Sequence, residues 1–351
     1  MPTKSIPFGQ LSRKGNNTQT AMLGLGLALA MQHGLRADSF GSGANTFTID
    51  FVTVGNAGNS DDAGAGGGSY SSPYGGVPYT YHIGVYEISQ DQITKATNAG
   101  MTNVTAGAWS ASQPAGNMTW YEAAAFVNWL NTSTGHQAAY DLTWTGSAWT
   151  MNLWSTEQAW QLGGENLYRH KDAYYFLPSE DEWYKAAYHK NDGVTANYWD
   201  YATASNTVPD GIDYPGDPSY QAVYYDGYQQ TQPNAITSVG ASSAYGTYGQ
   251  CGNMWEWIES PYDGVCNYEW ETRTVRSSEY FLTWEFLRSA YRTGGPPAST
   301  GITYGFRVAK VFGPDVPVPA VSEWGVITIA LLTLTAGTLI FAKRDVFSGR
   351  A

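Results

Sequence analysis

The stretch that decides the fold is Gly-Asn-Met-Trp-Glu-Trp at residues 252–257. Two further stretches follow it, Arg-Ser-Ala-Tyr-Arg at residues 288–292 and Gly-Phe-Arg-Val-Ala at residues 305–309. All three combine aromatic rings with charged side chains. The whole chain shares this character, with 40 glycines and an aromatic content of 15%. This composition predicts a loop-rich fold in which large rings, rather than long sheets, supply the core.

Length and charge limit the class of protein. The chain has 351 residues and 42% apolar content, enough to bury the core of one large domain or two small ones. Its formal net charge is −12, so it lacks the basic surface that phosphate binding requires, and we expect no nucleic acid partner. An acidic balance suits an exported protein that binds divalent cations or neutral sugars.

The first 37 residues have the pattern of a secretory signal peptide. Lys4, Arg13 and Lys14 precede an apolar run at residues 21–30, and polar residues and Ala37 follow it. A basic region, an apolar region of about ten residues and a small residue before a polar start are typical of such a peptide. The alternative is that residues 21–30 form a buried helix of the folded domain.

The other end of the chain predicts a membrane anchor. A Pro-rich linker occupies residues 312–320, and an uncharged run at residues 326–342 precedes Lys343 and Arg344. A run of about 17 apolar or small residues is near the lower limit for a transmembrane helix, and the basic pair is expected on the cytoplasmic side. We therefore expect contact with a membrane through this C-terminal helix.

Residues 321–351 also resemble a bacterial C-terminal sorting signal. The segment Val-Pro-Ala-Val-Ser-Glu-Trp at residues 318–324 is similar to motifs of the Ile-Pro-Thr-Leu-Ser-Glu-Trp type, and a helix and basic residues follow in the expected order. The resemblance implies an exported protein of a Gram-negative cell envelope, either anchored in the membrane or attached to the surface. It also implies a sortase-like processing peptidase as a partner.

Between the two ends the pattern predicts a domain of the α+β class. Residues 46–54 alternate polar and apolar side chains as a half-buried strand does, and the Gly-rich residues 55–76 predict a long loop. The acidic residues 180–182 favour the positive end of a helix dipole, so we interpret them as structural and not as a catalytic dyad. Three helix starts carry a capping pair, in which a hydroxyl precedes an amide or acid by three residues. These pairs are Ser89 with Gln92, Thr119 with Glu122, and Ser179 with Glu182.

Five motifs resemble, in order, those of the formylglycine-generating enzyme family, also called sulfatase-modifying factors. They are residues 81–89, residues 118–123, Phe-Leu-Pro-Ser-Glu-Asp-Glu-Trp at residues 176–183, residues 252–257 and residues 305–309. The third motif departs from the family's Arg-Leu-Pro-Thr-Glu-Ala-Glu-Trp, because Phe176 stands where the family has arginine. The resemblance covers residues 46–311 and implies the family's loop-rich fold, which is related to C-type lectin domains.

The copper chemistry of this family is not expected here. Formylglycine-generating enzymes hold copper(I) on two cysteine thiolates, and a soft metal requires soft ligands. Alignment of residues 274–280 on the family's catalytic loop puts Leu282 and Leu287 at the cysteine positions. The paired glycines of that loop are also replaced, by Ser277 and Ser278.

Cys251 and Cys266 are the two cysteines of the chain. In an oxidising compartment they can form one disulfide, but the sequence leaves their pairing open. A displaced copper site made from them is not expected, because Cys251 adjoins a structural motif and Cys266 precedes the catalytic loop. The five histidines lack the spacing of the superfamily's iron-binding branch, and no GxSxG or HExxH motif occurs.

Calcium is a metal that the resemblance implies. Family members bind it partly through the motif at residues 252–257, which would supply Asn253, Glu256 and a backbone carbonyl near Met254. Hard oxygen donors suit calcium, and the ion would rigidify a loop-rich core. The alternative is that Asn253 caps a turn and Glu256 pairs with an arginine. At the family's other calcium site, Val223 stands where a side-chain oxygen is expected.

Three functions are consistent with the sequence. The first is a non-catalytic module that binds an envelope protein or a glycan. The second is an oxygen-dependent oxidoreductase of the formylglycine-generating type with a relocated site. The third is a display scaffold whose loop at residues 276–307 is diversified by a retroelement.

The candidate ligand-binding residues follow from the first function. Aromatic and arginine side chains dominate binding hot spots, and the C-terminal loop is rich in both. The candidates are Tyr280, Trp284, Glu285, Arg288, Tyr291 and Arg292. The alternative for Trp284 and Tyr291 is that their rings belong to the core.

Overall fold

The computed structural model describes residues 36–64, 73–105, 107 and 109–311. Within this part of the chain the backbone forms three helices and thirteen short strands. The helices are α1 (Gln90–Asn98), α2 (Trp120–Ser133) and α3 (Glu180–Tyr188). The strands are β1 (Arg36–Phe40), β2 (Phe47–Val54), β3 (Tyr81–Gly84), β4 (Asp141–Trp144), β5 (Trp149–Asn152), β6 (Ala159–Trp160), β7 (Asn166–His170), β8 (Tyr175–Phe176), β9 (Trp255–Pro261), β10 (Arg273–Ser277), β11 (Thr293–Gly295), β12 (Tyr304–Phe306) and β13 (Ala309–Val311). Short 3-10 helices occupy Gly43–Asn45 and Trp284–Leu287.

Two sheets organise the described domain. The first has the strand order β1-β2-β3-β13-β8, with every neighbouring pair antiparallel. The second has the order β11-β10-β9-β12, in which β9 pairs antiparallel with β10 and parallel with β12. The pairs β4–β5 and β6–β7 are separate hairpins. Most strands are short and long irregular segments join them, so the predicted α+β class with many loops is confirmed.

Each helix begins at the capping pair that the sequence predicts. Thr119 Oγ1 accepts the Glu122 N–H at 3.0 Å, and a Glu122 carboxylate oxygen accepts the Thr119 N–H at 3.0 Å. The starts of α1 and α3 have the same reciprocal arrangement. Because each box satisfies two backbone donors that lack helical partners, the three helix starts are fixed locally.

Tryptophan rings in the core connect the helices to the second sheet. Trp120, Trp183 and Trp257 are fully buried. The indole N–H of Trp120 on α2 donates to the Ile258 carbonyl at 2.9 Å, and that of Trp183 on α3 donates to Glu256 at 2.8 Å. A buried indole N–H is costly without an acceptor, so these bonds fix α2 and α3 against β9.

The folded domain begins before the predicted boundary at residue 46. β1 starts at Arg36, inside the segment assigned to the signal peptide, and pairs with β2 over its whole length. Asp38 of β1 accepts hydrogen bonds from the Tyr175 hydroxyl at 2.8 Å and from the Lys310 ammonium. The segment Arg-Ala-Asp-Ser-Phe has no clear alternation, so only these distant partners identify it as a strand.

The other predicted segments at the two ends lie outside the described residues. They are the remainder of the signal peptide, the Pro-rich linker at residues 312–320, and the sorting signal with its helix at residues 321–351. Over the described ranges, every helix is too short or too polar to cross a membrane.

Candidate functional site

The motif at residues 252–257 leads into β9, an inner strand of the second sheet. Glu256 is fully buried there and pairs with Arg307. The Nε and Nη2 atoms of Arg307 donate to the two carboxylate oxygens, each at 2.7 Å, and the Trp183 indole adds a third donor. A bidentate guanidinium pair with a further N–H donor satisfies a buried carboxylate. Glu256 therefore joins β9 to α3 and to the segment after β12.

Asn253 holds the turn that precedes β9. Its φ is +66°, its Nδ2 donates to Glu87 at 2.7 Å, and its Oδ1 accepts the Asn234 N–H at 2.8 Å. Glu87 is also buried, and burial, followed by the charge of Glu256, raises the pKa of its carboxyl well above the usual range. Its Oε1 has no hydrogen-bond partner among the described residues.

These contacts bear on the predicted calcium ligands. Both oxygens of Glu256 accept from Arg307, so as placed this carboxylate does not fit a calcium ion. Met254 is buried, and its N–H donates to the Gly252 carbonyl at 3.0 Å. The geometry favours the alternative of an Asn in a turn and a Glu paired with arginine. Calcium binding stays a prediction, which a calcium titration tests.

The two positions expected for copper-binding cysteines carry no metal ligand. Leu287 is buried, and Leu282 packs against the main core cluster. Cys251 and Cys266 are free thiols that pack in different core clusters, and burial raises the pKa of each to about 12. The residues therefore do not fit copper(I), which requires two adjacent thiolates.

Three of the six predicted ligand-binding residues belong to the framework of the fold. Tyr280 is buried, and Tyr291 stacks on Trp255 with ring centroids 5.8 Å apart. Arg292 is 8% exposed, and its Nε and Nη2 donate to Glu180 at 2.9 and 2.6 Å. The prediction of a recognition role does not suit Arg292, because its charge is directed at a buried carboxylate.

The other three residues lie together at the surface, around the Trp284–Leu287 turn. Trp284 is half-buried and packs in part against a core cluster, whereas Glu285 and Arg288 are exposed. The Arg288 guanidinium lies over the Trp284 ring, 5.7 Å from its centroid. We call these three side chains the 284–288 surface. It offers an aromatic ring and charges of both signs to a partner.

Comparison with protein families decides the family. Residues 47–312 match the family model described as the sulfatase-modifying factor enzyme 1-like domain. The chain belongs to this family. The matched range includes most of both sheets and all three helices of the sulfatase-modifying-factor domain. No curated protein matches the chain.

Three solved structures are similar to this sulfatase-modifying-factor domain. Treponema denticola variable protein 1 has a TM-score of 0.53 at 18% identity, over 78% of this chain and 99% of that one. CarF has a TM-score of 0.50 at 18% identity, over 75% and 98%. PvdO from Pseudomonas aeruginosa has a TM-score of 0.49 at 16% identity, over 78% and 98%. At these identities the first two likenesses show a common fold.

A buried charge network beside α3 was not predicted from the sequence. Arg169 on β7 donates to Glu182 of α3 at 2.8 and 3.0 Å and to Glu259 of β9 at 2.6 and 3.0 Å. Its guanidinium lies 3.7 Å from the centroid of Phe176, the position where sulfatase-modifying factors have arginine. The partners of Arg169 are 13 and 90 residues away, so no local pattern indicates the network.

Arg292 and Arg288 give a matched test of these assignments. Arg292→Met is expected to lower the free energy of unfolding by about 2 kcal/mol, because buried Glu180 loses a charged partner. Arg288→Met is expected to change it by less than about 0.5 kcal/mol, because Arg288 is exposed. Urea unfolding of the two variants measures the difference. If the two variants had equal free energies of unfolding, Arg292 would again be a candidate ligand-binding residue.

Proposed function

We propose that this protein is a non-catalytic, ligand-binding member of the sulfatase-modifying factor family. One observation carries the proposal: Leu287, a buried core residue, stands where the second copper cysteine is expected. Without thiolates there, copper(I) lacks ligands of the kind it needs, while the fold that would present a binding surface is retained. A relationship of the fold to C-type lectin domains is part of the proposal and suits a recognition role.

The binding surface in this proposal is the 284–288 surface, and its partner is a glycan or an envelope protein. The half-buried Trp284 ring supplies contact area, and Arg288 supplies directional donors. A hydrogen bond from the Thr283 side chain lowers the pKa of Glu285. Charges of both signs beside one ring suit a polar partner that both donates and accepts hydrogen bonds.

Trp284→Ala and Arg288→Ala are each expected to weaken ligand binding at least about tenfold. Arg288→Ala should leave thermal unfolding nearly unchanged, whereas Trp284→Ala should also lower the unfolding temperature, because its ring packs against a core cluster. Arrays of glycans and of purified envelope proteins supply the ligand, and the affinity of each variant for it is the measurement. Trp270→Ala is the matched control, because Trp270 is 63% exposed on the loop between β9 and β10. If no ligand bound on either array, or if Trp270→Ala lost as much affinity as the other variants, the proposal for the 284–288 surface would be contradicted.

A display scaffold is the second candidate function. It is favoured by the similarity to Treponema denticola variable protein 1, whose name describes it as variable. In this proposal the diversified loop is residues 276–307, which contains the 284–288 surface. A reverse transcriptase gene and a template repeat beside this gene would support the candidate, and their absence would remove it.

An oxygen-dependent enzyme with a relocated site finds less support. Such a site would need Cys251 or Cys266 as a thiolate, and burial raises the pKa of both thiols to about 12. Copper titration and oxygen-uptake measurements address this alternative. Tight stoichiometric copper binding that Cys251→Ala abolishes would reverse our preference.

The proposal also includes a location. The N-terminal signal segment and the sorting signal at residues 321–351 support export to a Gram-negative cell envelope, with anchoring by the C-terminal helix and processing by a sortase-like peptidase. Cell fractionation and the mass of the mature chain test it. Recovery of the uncut chain in the cytoplasmic fraction would contradict this location.

A further inference from the structure

A cavity lies between the start of α3, the turn of the β6–β7 hairpin and the end of β9. Its volume is about 360 Å³, within the range of small-ligand sites. Tyr79 and Trp160 supply aromatic wall, Asp181 lies on the α3 side, and Glu165 is an exposed lining residue. The cavity shares no residue with the 284–288 surface, so a ligand here would be additional to the one proposed above.

The main hydrogen-bond donors of the cavity wall are already used within the protein. Arg169 donates to two buried carboxylates, and the Tyr79 hydroxyl donates to Glu182 at 2.8 Å. The Trp160 indole N–H donates to the Leu162 carbonyl at 2.8 Å. The wall therefore offers a ligand mainly acceptor atoms. An ammonium group, which has three donors and no acceptor, is the complementary chemistry.

Two carboxylates of the lining have no cationic partner within the described residues. Glu180 and Glu182 each pair with arginine, but Asp181 and Glu165 form no such ion pair there. The Oδ1 atom of Asp181 accepts the neutral N–H of Gly75 at 2.9 Å. A buried carboxylate is stabilised by a cation nearby. When Asp181 is ionised, the cavity thus holds negative charge that no cation among the described residues pairs with.

The surroundings of Asp181 make its charge state sensitive to a bound cation. Burial raises the pKa of Asp181 to about 7, the Gly75 N–H lowers it, and the charges of Glu180, Asp61 and Glu182 raise it. Glu180 and Glu182 face Asp181 from α3, Asp61 faces it from the described segment between β2 and β3, and Tyr198 faces it from the segment after α3. Near neutral pH its carboxyl is therefore partly protonated, and a cation beside it would displace that proton.

We propose that this cavity binds a ligand through a primary ammonium group, with Asp181 as its counter-ion and Tyr79 and Trp160 as aromatic walls. The Trp160 ring already lies 5.1 Å from the Arg169 guanidinium, so the attraction for the ammonium comes from the Asp181 carboxylate, which adds a charge-assisted hydrogen bond. A free diamine and the lysine side chain of a peptide both carry this group. The volume of the cavity suits either of them.

Isothermal titration calorimetry on the purified protein tests the proposal with cadaverine and with Nα-acetyl-lysine methylamide. At least one amine is expected to bind at pH 8. Its uncharged counterpart, 1,5-pentanediol or the Nε-acetylated lysine probe, is expected to bind at least about tenfold more weakly. The tighter amine identifies the source of the ammonium group. Failure of both amines at millimolar concentration, or equal binding of the uncharged probes, would overturn the proposal.

Asp181→Asn is expected to weaken amine binding at least about tenfold at pH 8. Lowering the pH from 8 to 6 should weaken binding to the unaltered protein roughly tenfold, because Asp181 takes up a proton. Asp172→Asn is the control, since the Asp172 side chain is 66% exposed and the change in charge is the same. Amine binding that survives Asp181→Asn or is independent of pH would contradict the role of Asp181.

Thermal unfolding separates a lost site from a lost fold. A carboxyl whose pKa is raised in the folded state contributes stability below its unfolded pKa and loses it as pH rises through the folded pKa, here from about 4 to about 7. Asp181→Asn removes that loss and keeps an acceptor for the Gly75 N–H. At pH 8 the unfolding temperature of the variant should therefore be no lower than that of the unaltered protein. Trp284→Ala should leave amine binding unchanged, so this proposal and the proposed function can fail separately.

Discussion

Replacement of Arg169 by methionine is expected to destabilise the domain by about 3–5 kcal/mol, or to prevent folding. Arg169, Glu182 and Glu259 are almost completely excluded from solvent, and one guanidinium serves both carboxylates. Methionine fills similar space but leaves two buried carboxylates without a positive charge. The free energy of unfolding in urea, or the yield of folded protein, measures the effect.

Two further variants test whether Arg169→Met loses stability because a buried positive charge is removed. Glu259→Gln combined with Arg169→Met should recover part of the loss, because the double variant buries one uncompensated carboxylate fewer. Lys95→Met removes a cation from the exposed pair with Asp91 and should cost less than about 1 kcal/mol. If Arg169→Met cost no more than Lys95→Met, the network would not hold the fold as described.

Gly252→Ala is expected to cost at least about 3 kcal/mol, the second large effect. The φ angle of Gly252 is +99°, and an added Cβ would lie 2.2 Å from the Val223 carbonyl oxygen. That oxygen accepts the Asn253 N–H at 2.8 Å, so moving it away would break the turn before β9. Thermal unfolding, with the circular dichroism of the aromatic side chains as the signal, gives the measurement.

Gly264→Ala separates steric overlap from backbone strain. Gly264 also has a positive φ, +80°, but an added Cβ would meet no atom within 4 Å. Gly264→Ala should therefore lower the free energy of unfolding by roughly 1–2 kcal/mol, the strain of an alanine in the left-handed backbone conformation. Equal losses in the two alanine variants would mean that the Val223 carbonyl does not restrict residue 252.

Features that depend on neighbours in the chain were predicted well. The capping boxes join residues three positions apart, so Thr119 and Glu122 reveal the start of α2 without any knowledge of the tertiary structure. The motif at residues 252–257 likewise indicated the family, because its glycine and its charged and aromatic residues serve one short turn and strand. The absence of a thiol at Leu287 was equally visible.

Features that depend on distant partners could not be predicted from the sequence. Arg288 and Arg292 look alike in the sequence, but only Arg292 has its carboxylate, Glu180, 112 residues earlier in the chain. Whether Glu256 binds calcium or pairs with an arginine stayed open in the sequence, because its partner Arg307 lies 51 residues away. The arginine network and the cavity beside Asp181 could not be predicted either, because their residues lie far apart in the sequence. Whether an arginine stabilises the core or lies at the surface therefore depends on the tertiary structure and cannot be inferred from the residue type.

The position of β13 has a consequence for the order of events during synthesis. β13 is made last among the strands of the first sheet, yet it lies between β3 and β8. Until residue 311 has left the ribosome, β3 and β8 of the nascent chain each have an edge that β13 does not yet pair with. Asp38 likewise lacks its ion-pair partner Lys310 until then. We therefore expect that the first sheet cannot close until β13 is available to pair with β3 and β8.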